Sequence, residues 1–141
     1  MSVKEQFENA CANGKLEKAK ELLKNNPDIN ISADYEWAFI CSCLNGHLNV
    51  SKWLLQTKPD IDISAYNEYA FRWACYNRHL HVAQWLQTLL PFKYIVIVVE
   101  NDTIIEWKIR NKHETHLLHL LHAFTKNGYK NLHSILANTN L

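Results

Sequence analysis

The stretch NGHLNVSKWLL, residues 45–55, decides the fold. Its first two residues, Asn45 and Gly46, tolerate a left-handed backbone, which suits the end of a helix. Val50, Trp53 and Leu54 then follow the i, i+3, i+4 spacing of a helix that is buried on one face. The stretch therefore predicts the end of one helix, a tight turn and the start of a second, amphipathic helix.

The residues on either side complete the unit. Residues 37–44 (WAFICSCL) are rich in apolar and small side chains and predict the first helix. Pro59 ends the second helix, because the residue before a proline is pushed out of the helical region. Residues 60–64 (DIDIS) alternate between polar and apolar, as a short extended segment does. Each unit is therefore predicted to be helix, turn, helix and extended loop.

The same unit recurs every 32 residues. Pro27, Pro59 and Pro91 are separated by this step, and so are other sets of residues. These sets are Cys11, Cys43 and Cys75; Phe7, Phe39 and Phe71; and Asn13, Asn45 and Asn77. A period of about 20 to 50 residues is typical of stacked units that bury their apolar faces only against one another. We predict repeats over residues 1–32, 33–64 and 65–92.

After the third repeat the pattern becomes that of a β-hairpin. Residues 94–99 (YIVIVV) and 104–109 (IIEWKI) are rich in β-branched and aromatic side chains. A two-residue turn at Asn101 and Asp102 would join them. The resulting register pairs Tyr94 with Ile109, Val96 with Trp107, and Val98 with Ile105. We predict an inserted hairpin near residues 93–110, which we expect to fold back over the repeats rather than project from them.

The last residues return to the repeat pattern. Asn127 and Gly128 are followed by Leu132, Ile135 and Leu136, at the offsets at which the apolar residues follow Asn45 and Gly46. The spacing predicts a divergent capping repeat over residues 111–141. The expected fold is mostly α, a helix-turn-helix solenoid of about four repeats with the hairpin inserted before the last.

These residues resemble the ankyrin repeat. Residues 45–55 are similar to the Gly-His turn and the Val-x-x-Leu-Leu helix of that family, and residues 60–62 (DID) stand where the family has Ala-Asp-Val-Asn. Residues 69–75 (YAFRWAC) resemble the ankyrin proteins of giant DNA viruses of amoebae. The chain departs from the family in its period of 32 rather than 33, and in having residues 37–40 (WAFI) and 69–72 (YAFR) in place of Thr-Pro-Leu-His.

The resemblance implies a non-enzymatic module that binds another protein, and a host factor in the host cytoplasm if the protein is viral. In ankyrin proteins, partners bind along the concave face made by the loop tips and the first helices. The matching positions are Asp34, Tyr35, Glu36, Tyr66, Asn67, Glu68, Tyr76 and Asn77. Tyrosines suit an interface because they bury a large area and keep a polar group; the alternative is that Tyr66 and Tyr76 only cover neighbouring repeats.

Three tryptophans of the repeats have a different expected role. Trp53, Trp73 and Trp85 occupy the buried phase of their helices. We therefore assign all three to packing between repeats.

Composition limits the other possible partners. Fifteen Lys+Arg against fourteen Asp+Glu give a net charge of +1, which favours neither nucleic acid nor an anionic membrane. The longest apolar run, residues 94–99, is far shorter than the roughly 18 residues of a spanning helix. Residues 1–10 lack the apolar core of a secretion signal. We expect a soluble, cytoplasmic protein.

Two residue sets raise the question of chemistry. His113, His116, His119 and His122 recur every third residue, and neutral imidazoles bind zinc or nickel. That step spreads them over about half of a helix circumference, so no cofactor is the favoured prediction. Metal binding through these histidines and self-association through an edge of the hairpin remain the alternatives.

The cysteines are predicted to be structural. Cys11, Cys43 and Cys75 share one phase of the repeat, and helices of stacked repeats are too far apart for a disulfide. We expect small, buried thiols. The sequence has no glycine-rich phosphate loop and no Gly-x-Ser-x-Gly elbow, so we do not expect catalysis.

Overall fold

The structure, a computed structural model, describes residues 1–111, 113, 114 and 117. This part of the chain contains six α-helices followed by a two-stranded antiparallel sheet. The helices are α1 (Val3–Ala12), α2 (Leu16–Asn25), α3 (Ala33–Leu44), α4 (Leu48–Thr57), α5 (Ala65–Tyr76) and α6 (Leu80–Leu89). The strands are β1 (Tyr94–Glu100) and β2 (Thr103–Ile109). The mostly helical prediction with a hairpin after the third helix pair is confirmed.

The helix boundaries follow the 32-residue register. Leu16, Leu48 and Leu80 begin the second helix of each pair, at one phase of the period. The loop after the second pair differs from the predicted extended segment, because residues 59–60 and 63–64 form turns and only two residues between them are irregular. Most of the predicted capping repeat, residues 111–141, lies outside the described residues. Among the described residues, no helix has both the length and the apolar character that crossing a membrane requires.

One buried phenylalanine per repeat forms the centre of the core. Phe7 lies 6.2 Å, between ring centroids, from Trp53 of the second repeat. Phe39 lies at the same distance, 6.2 Å, from Trp85 of the third repeat. Each phenylalanine is thus covered by a tryptophan on the second helix of the next repeat. Full burial of a phenylalanine side chain contributes about 1.5–3 kcal/mol to the free energy of unfolding.

The hairpin covers the third phenylalanine. Tyr94 is fully buried and stacks on Phe71, with the ring centroids 4.3 Å apart and the planes 5° from parallel. Trp107 meets the same ring edge-on at 5.9 Å. The hairpin therefore folds back onto the third repeat, as expected, and takes the place of a following repeat in this contact.

The hairpin register matches the prediction at both ends but not in the middle. Tyr94 pairs with Ile109 and Val96 with Trp107, and Asn101 and Asp102 form the turn with φ of 50° and 59°. The pairing of Val98 with Ile105 is wrong, because Val98 lies opposite Glu106. One irregularity adds a residue to β1 and the next adds one to β2, so the two cancel before the turn.

The turn within each repeat brings a glycine against the following repeat. Gly14 and Gly46 have φ of +72° and +79°. A Cβ atom on Gly46 would lie 2.5 Å from Nδ1 of His79, and one on Gly14 would lie 2.4 Å from Nδ1 of His47. The third repeat has the exposed Arg78 at this position, with φ of +62°. Glycine thus occurs where a histidine ring of the next repeat packs directly on the turn.

Replacing Gly46 tests this contact. We expect Gly46→Ala to lower the free energy of unfolding by about 2–3 kcal/mol, because alanine adds left-handed strain of about 1–2 kcal/mol and displaces the His79 ring. Arg78→Ala is the matched control, since its Cβ is already accommodated, and we expect a change within about 0.5 kcal/mol. Urea unfolding measures both. Equal losses in the two variants would contradict the packing of His79 on the turn.

Candidate partner-binding surface

Six of the eight predicted site residues form two left-handed turns. Residues 34–36 precede the regular part of α3 and residues 66–68 precede that of α5, and all six have φ between 53° and 71°. The two turns stand one period apart. A left-handed conformation costs a residue other than glycine about 1–2 kcal/mol, so contacts elsewhere must hold each turn in place.

Glu36 holds the first turn to the loop that follows α4. It is 7% exposed, and its carboxylate accepts hydrogen bonds from Oγ of Ser32 at 2.8 Å and from the backbone N–H of Asp62 at 3.3 Å. Ser32 begins the turn, whereas Asp62 lies in the following loop. The expectation that Glu36 is a surface residue is therefore corrected, because its carboxylate is used inside the protein.

Glu68 holds the second turn to the hairpin in the same way. It is also 7% exposed, and its carboxylate pairs with Nζ of Lys93 and accepts a hydrogen bond from Oη of Tyr94. Lys93 also donates to Oγ of Ser64 at 2.9 Å. Tyr94 stands one period after Asp62, the residue that bonds Glu36. The hairpin thus supplies to Glu68 the donors that correspond to the one that the loop after α4 supplies to Glu36.

Burial keeps the Tyr94 hydroxyl protonated. Removal from water, together with the hydrogen bond to the Glu68 carboxylate, raises the pKa of Tyr94 above its ordinary value. The hydroxyl therefore remains a donor at every pH at which the protein is expected to work.

The first two residues of each turn are exposed at the loop tips. Tyr35 is 75% and Tyr66 53% exposed, and their rings meet edge-on with centroids 5.4 Å apart. Asp34 forms an ion pair with Lys4, and the carbonyl of Asn67 accepts a hydrogen bond from Arg72 at 3.2 Å. The structure therefore brings Asp34, Tyr35, Tyr66 and Asn67 together at one edge of the repeats.

Asn77 has a structural role. Its Nδ2 donates to the carbonyl of Leu44 in the preceding repeat at 2.9 Å, and Asn45 donates to the carbonyl of Ala12 at the same distance, 2.9 Å. These carbonyls are at helix ends and lack a partner within the helix. Asn77 thus joins two repeats, although its residue is exposed.

Tyr76 belongs to a second set of rings. It is 58% exposed and contacts Trp73 at 5.6 Å and Trp107 at 5.1 Å. Tyr69 continues the set, with Trp73 at 5.6 Å and Trp37 at 6.4 Å. We call the two sets together the aromatic face: Tyr35, Trp37, Tyr66, Tyr69, Trp73, Tyr76 and Trp107.

The assignment of Trp73 to packing is wrong, whereas Trp53 and Trp85 do pack against the core. Trp73 is 37% exposed. One period earlier the same position holds Cys41, which is buried. The sequence prediction also missed Trp37 and Trp107. The signal for Trp37 was its shared register position with Tyr69, whereas the position of Trp107 depends on how the hairpin docks.

The four cysteines of the chain have buried thiols of low reactivity. Cys11, Cys41, Cys43 and Cys75 are buried and free, which confirms the prediction of buried thiols. Burial raises the pKa of Cys41 to about 11 and that of the other three to about 12. The thiolate, which is the nucleophile and the metal ligand, is therefore scarce at neutral pH. The described residues contain no cluster of His, Cys, Asp and Glu suited to a metal ion.

Comparison with known proteins supports the repeat architecture. The family model described as Ankyrin repeats (3 copies) matches residues 7–90, more than half of the chain. No curated protein and no solved structure matches the chain. The matched range ends before Tyr94, so the hairpin lies outside it.

Two substitutions at Tyr94 separate its ring from its hydroxyl. Tyr94→Phe keeps the stack on Phe71 and removes the donor to Glu68, so we expect the free energy of unfolding to fall by about 1–2 kcal/mol. Tyr94→Ala uncovers Phe71, and we expect a loss of about 3–5 kcal/mol. Urea unfolding followed by tryptophan fluorescence measures both. As a control, Tyr66→Phe removes an exposed hydroxyl and should change stability by less than about 0.5 kcal/mol. Equal losses for the two Tyr94 variants would contradict the role of the ring stack.

Proposed function

The chain belongs to the ankyrin-repeat family, and from this we propose that it is a module that binds another protein through the aromatic face. Ankyrin repeats are generally protein–protein interaction modules and typically not enzymes. The observation that supports this surface is the exposure of its rings. The side chains of Tyr35, Tyr66 and Tyr76 are each more than half exposed to solvent.

The chemistry of the face suits a protein partner. Tyrosine and tryptophan are the residues enriched in interface hot spots, because they bury a large area with few rotatable bonds. Asp34 and Asn67 add polar groups beside the Tyr35 and Tyr66 rings. The rings are carried by helices, by strand β2 and by turns held through hydrogen bonds of Glu36 and Glu68. Little conformational entropy is therefore lost when a partner binds.

The residues of the proposal differ from the eight predicted ones. Asp34, Tyr35, Tyr66, Asn67 and Tyr76 remain in it. Glu36, Glu68 and Asn77 support the surface from beneath or between repeats, through the hydrogen bonds described above. Trp37, Tyr69, Trp73 and Trp107 join it.

The alternatives stay predictions. The histidines that would bind a metal lie outside the described residues except for His113. Self-association through the hairpin would use the backbone at the outer edges of its strands, since the side chains of Tyr94 and Ile104 are buried. A viral origin and a host partner in the cytoplasm also stay predictions, because they depend on the resemblance of residues 69–75 alone.

A double substitution tests the proposed surface. We expect Tyr66→Ala with Tyr76→Ala to reduce recovery of a partner, in affinity capture from cells that express the protein, by at least about tenfold. Both side chains are exposed, so the circular dichroism spectrum should not change. Gln56→Ala with Gln84→Ala, on exposed positions of α4 and α6, is the matched control and should leave recovery unchanged. Undiminished recovery by the tyrosine variant would place the site elsewhere.

A further inference from the structure

The surface formed by the first helices changes in character from the first repeat to the third. Glu5 in α1 stands at the register position that Trp37 has in α3 and Tyr69 has in α5. Glu8 stands at the position that Arg72 has in the third repeat. Two carboxylates are therefore replaced, along the same positions, by a ring and a guanidinium group.

The surface formed by the first helices is negatively charged at the end where the first repeat lies. Lys4 bonds to the Asp34 carboxylate, and this bond, with the nearby Glu8 and Glu5 carboxylates, raises the pKa of Lys4. One ammonium group thus faces three carboxylates. Oε1 of Glu8 is shielded from solvent and has no hydrogen-bond donor among the described residues. Burial raises the pKa of Glu8, and the nearby Lys4 ammonium opposes this shift.

The end at the third repeat and the hairpin offers ring surfaces instead. Trp73 contacts Tyr76, and Tyr76 meets Trp107 edge-on at 87°. Arg72 of the same helix donates to the carbonyl of Asn67. Rows of exposed aromatic rings are suited to extended segments with proline or aliphatic side chains, which lie between the rings without losing internal hydrogen bonds.

The length of the surface sets the length of the segment. Packed helices lie about 8–10 Å apart, so three steps from the first repeat to the hairpin span about 24–30 Å. An extended polyproline-type segment rises about 3.1 Å per residue. About eight to ten residues would therefore reach from the carboxylates to Trp107.

We propose that the partner of this surface is an extended protein segment of about ten residues, with lysine or arginine at one end and proline or aliphatic residues at the other. This inference rests on the proposed function. The basic end lies against Glu5, Glu8 and Asp34, and the apolar end lies on Trp73, Tyr76 and Trp107. The charge of the first-repeat end favours this occupant over an acidic or uniformly apolar one.

A random ten-residue peptide library, panned on the full chain, tests the proposal. We expect the recovered peptides to be enriched in Lys or Arg at one terminus and in proline, leucine or valine at the other. When the basic residues of a recovered peptide are changed to Glu, its affinity by fluorescence anisotropy should fall about threefold to tenfold, as expected for one or two exposed ion pairs. The combination Glu8→Gln with Asp34→Asn should abolish this difference. Glu17→Gln with Glu21→Gln, an equal change of charge on the exposed side of α2, should preserve it.

Three results of the peptide experiments would overturn the proposal. These are recovered peptides without a basic terminus, a preference that survives Glu8→Gln with Asp34→Asn, and no recovery of peptides at all, which would indicate a folded partner. A dimer that sedimentation equilibrium shows to depend on Tyr76 would overturn it too, since the occupant would be a second copy of the chain. In each of the first three cases, the proposed function would still hold if partner capture depends on Tyr66 and Tyr76.

Discussion

Each repeat of this protein leaves one phenylalanine uncovered until the next unit supplies a ring. Phe7 is covered by Trp53 and Phe39 by Trp85, each from the following repeat. Phe71 is covered by Tyr94 and Trp107, which belong to the hairpin. The same substitution occurs in hydrogen bonding, where Tyr94 and Lys93 serve Glu68 as the next loop serves Glu36. The hairpin is thus the stacking neighbour of the third repeat.

This packing has a consequence for the surface. Because the hairpin docks on Phe71, its Trp107 also reaches Tyr76, and the aromatic face extends beyond the matched repeats. The left-handed turns also contribute to the aromatic face. They bury Glu36 and Glu68 and leave Tyr35 and Tyr66 exposed, so that the conformational cost of the turns is offset by internal bonds while the tips remain available to a partner.

The 32-residue period was sufficient to predict the helices, because a repeat that recurs three times reveals its own boundaries. The hairpin turn at Asn101 and Asp102 was also predictable from residue type. The burial of Glu36 and Glu68 was not predictable, because left-handed turns without glycine are rare. Such a turn points a side chain to a different side from the one that a right-handed helix would give it. The exposure of Trp73 was not predictable either, since the same register position in the second repeat holds the buried Cys41. The paired irregularities of the hairpin cancel without a sequence signal.

Amide hydrogen exchange of the full chain tests the stacking role of the hairpin most directly. If β1 and β2 form one cooperative unit with the third repeat, their paired amides should exchange with the same opening free energy as those of α5. Tyr94→Ala should then lower protection in the hairpin and in α5 together. Hairpin amides that exchange within seconds while those of α5 stay protected would contradict the account.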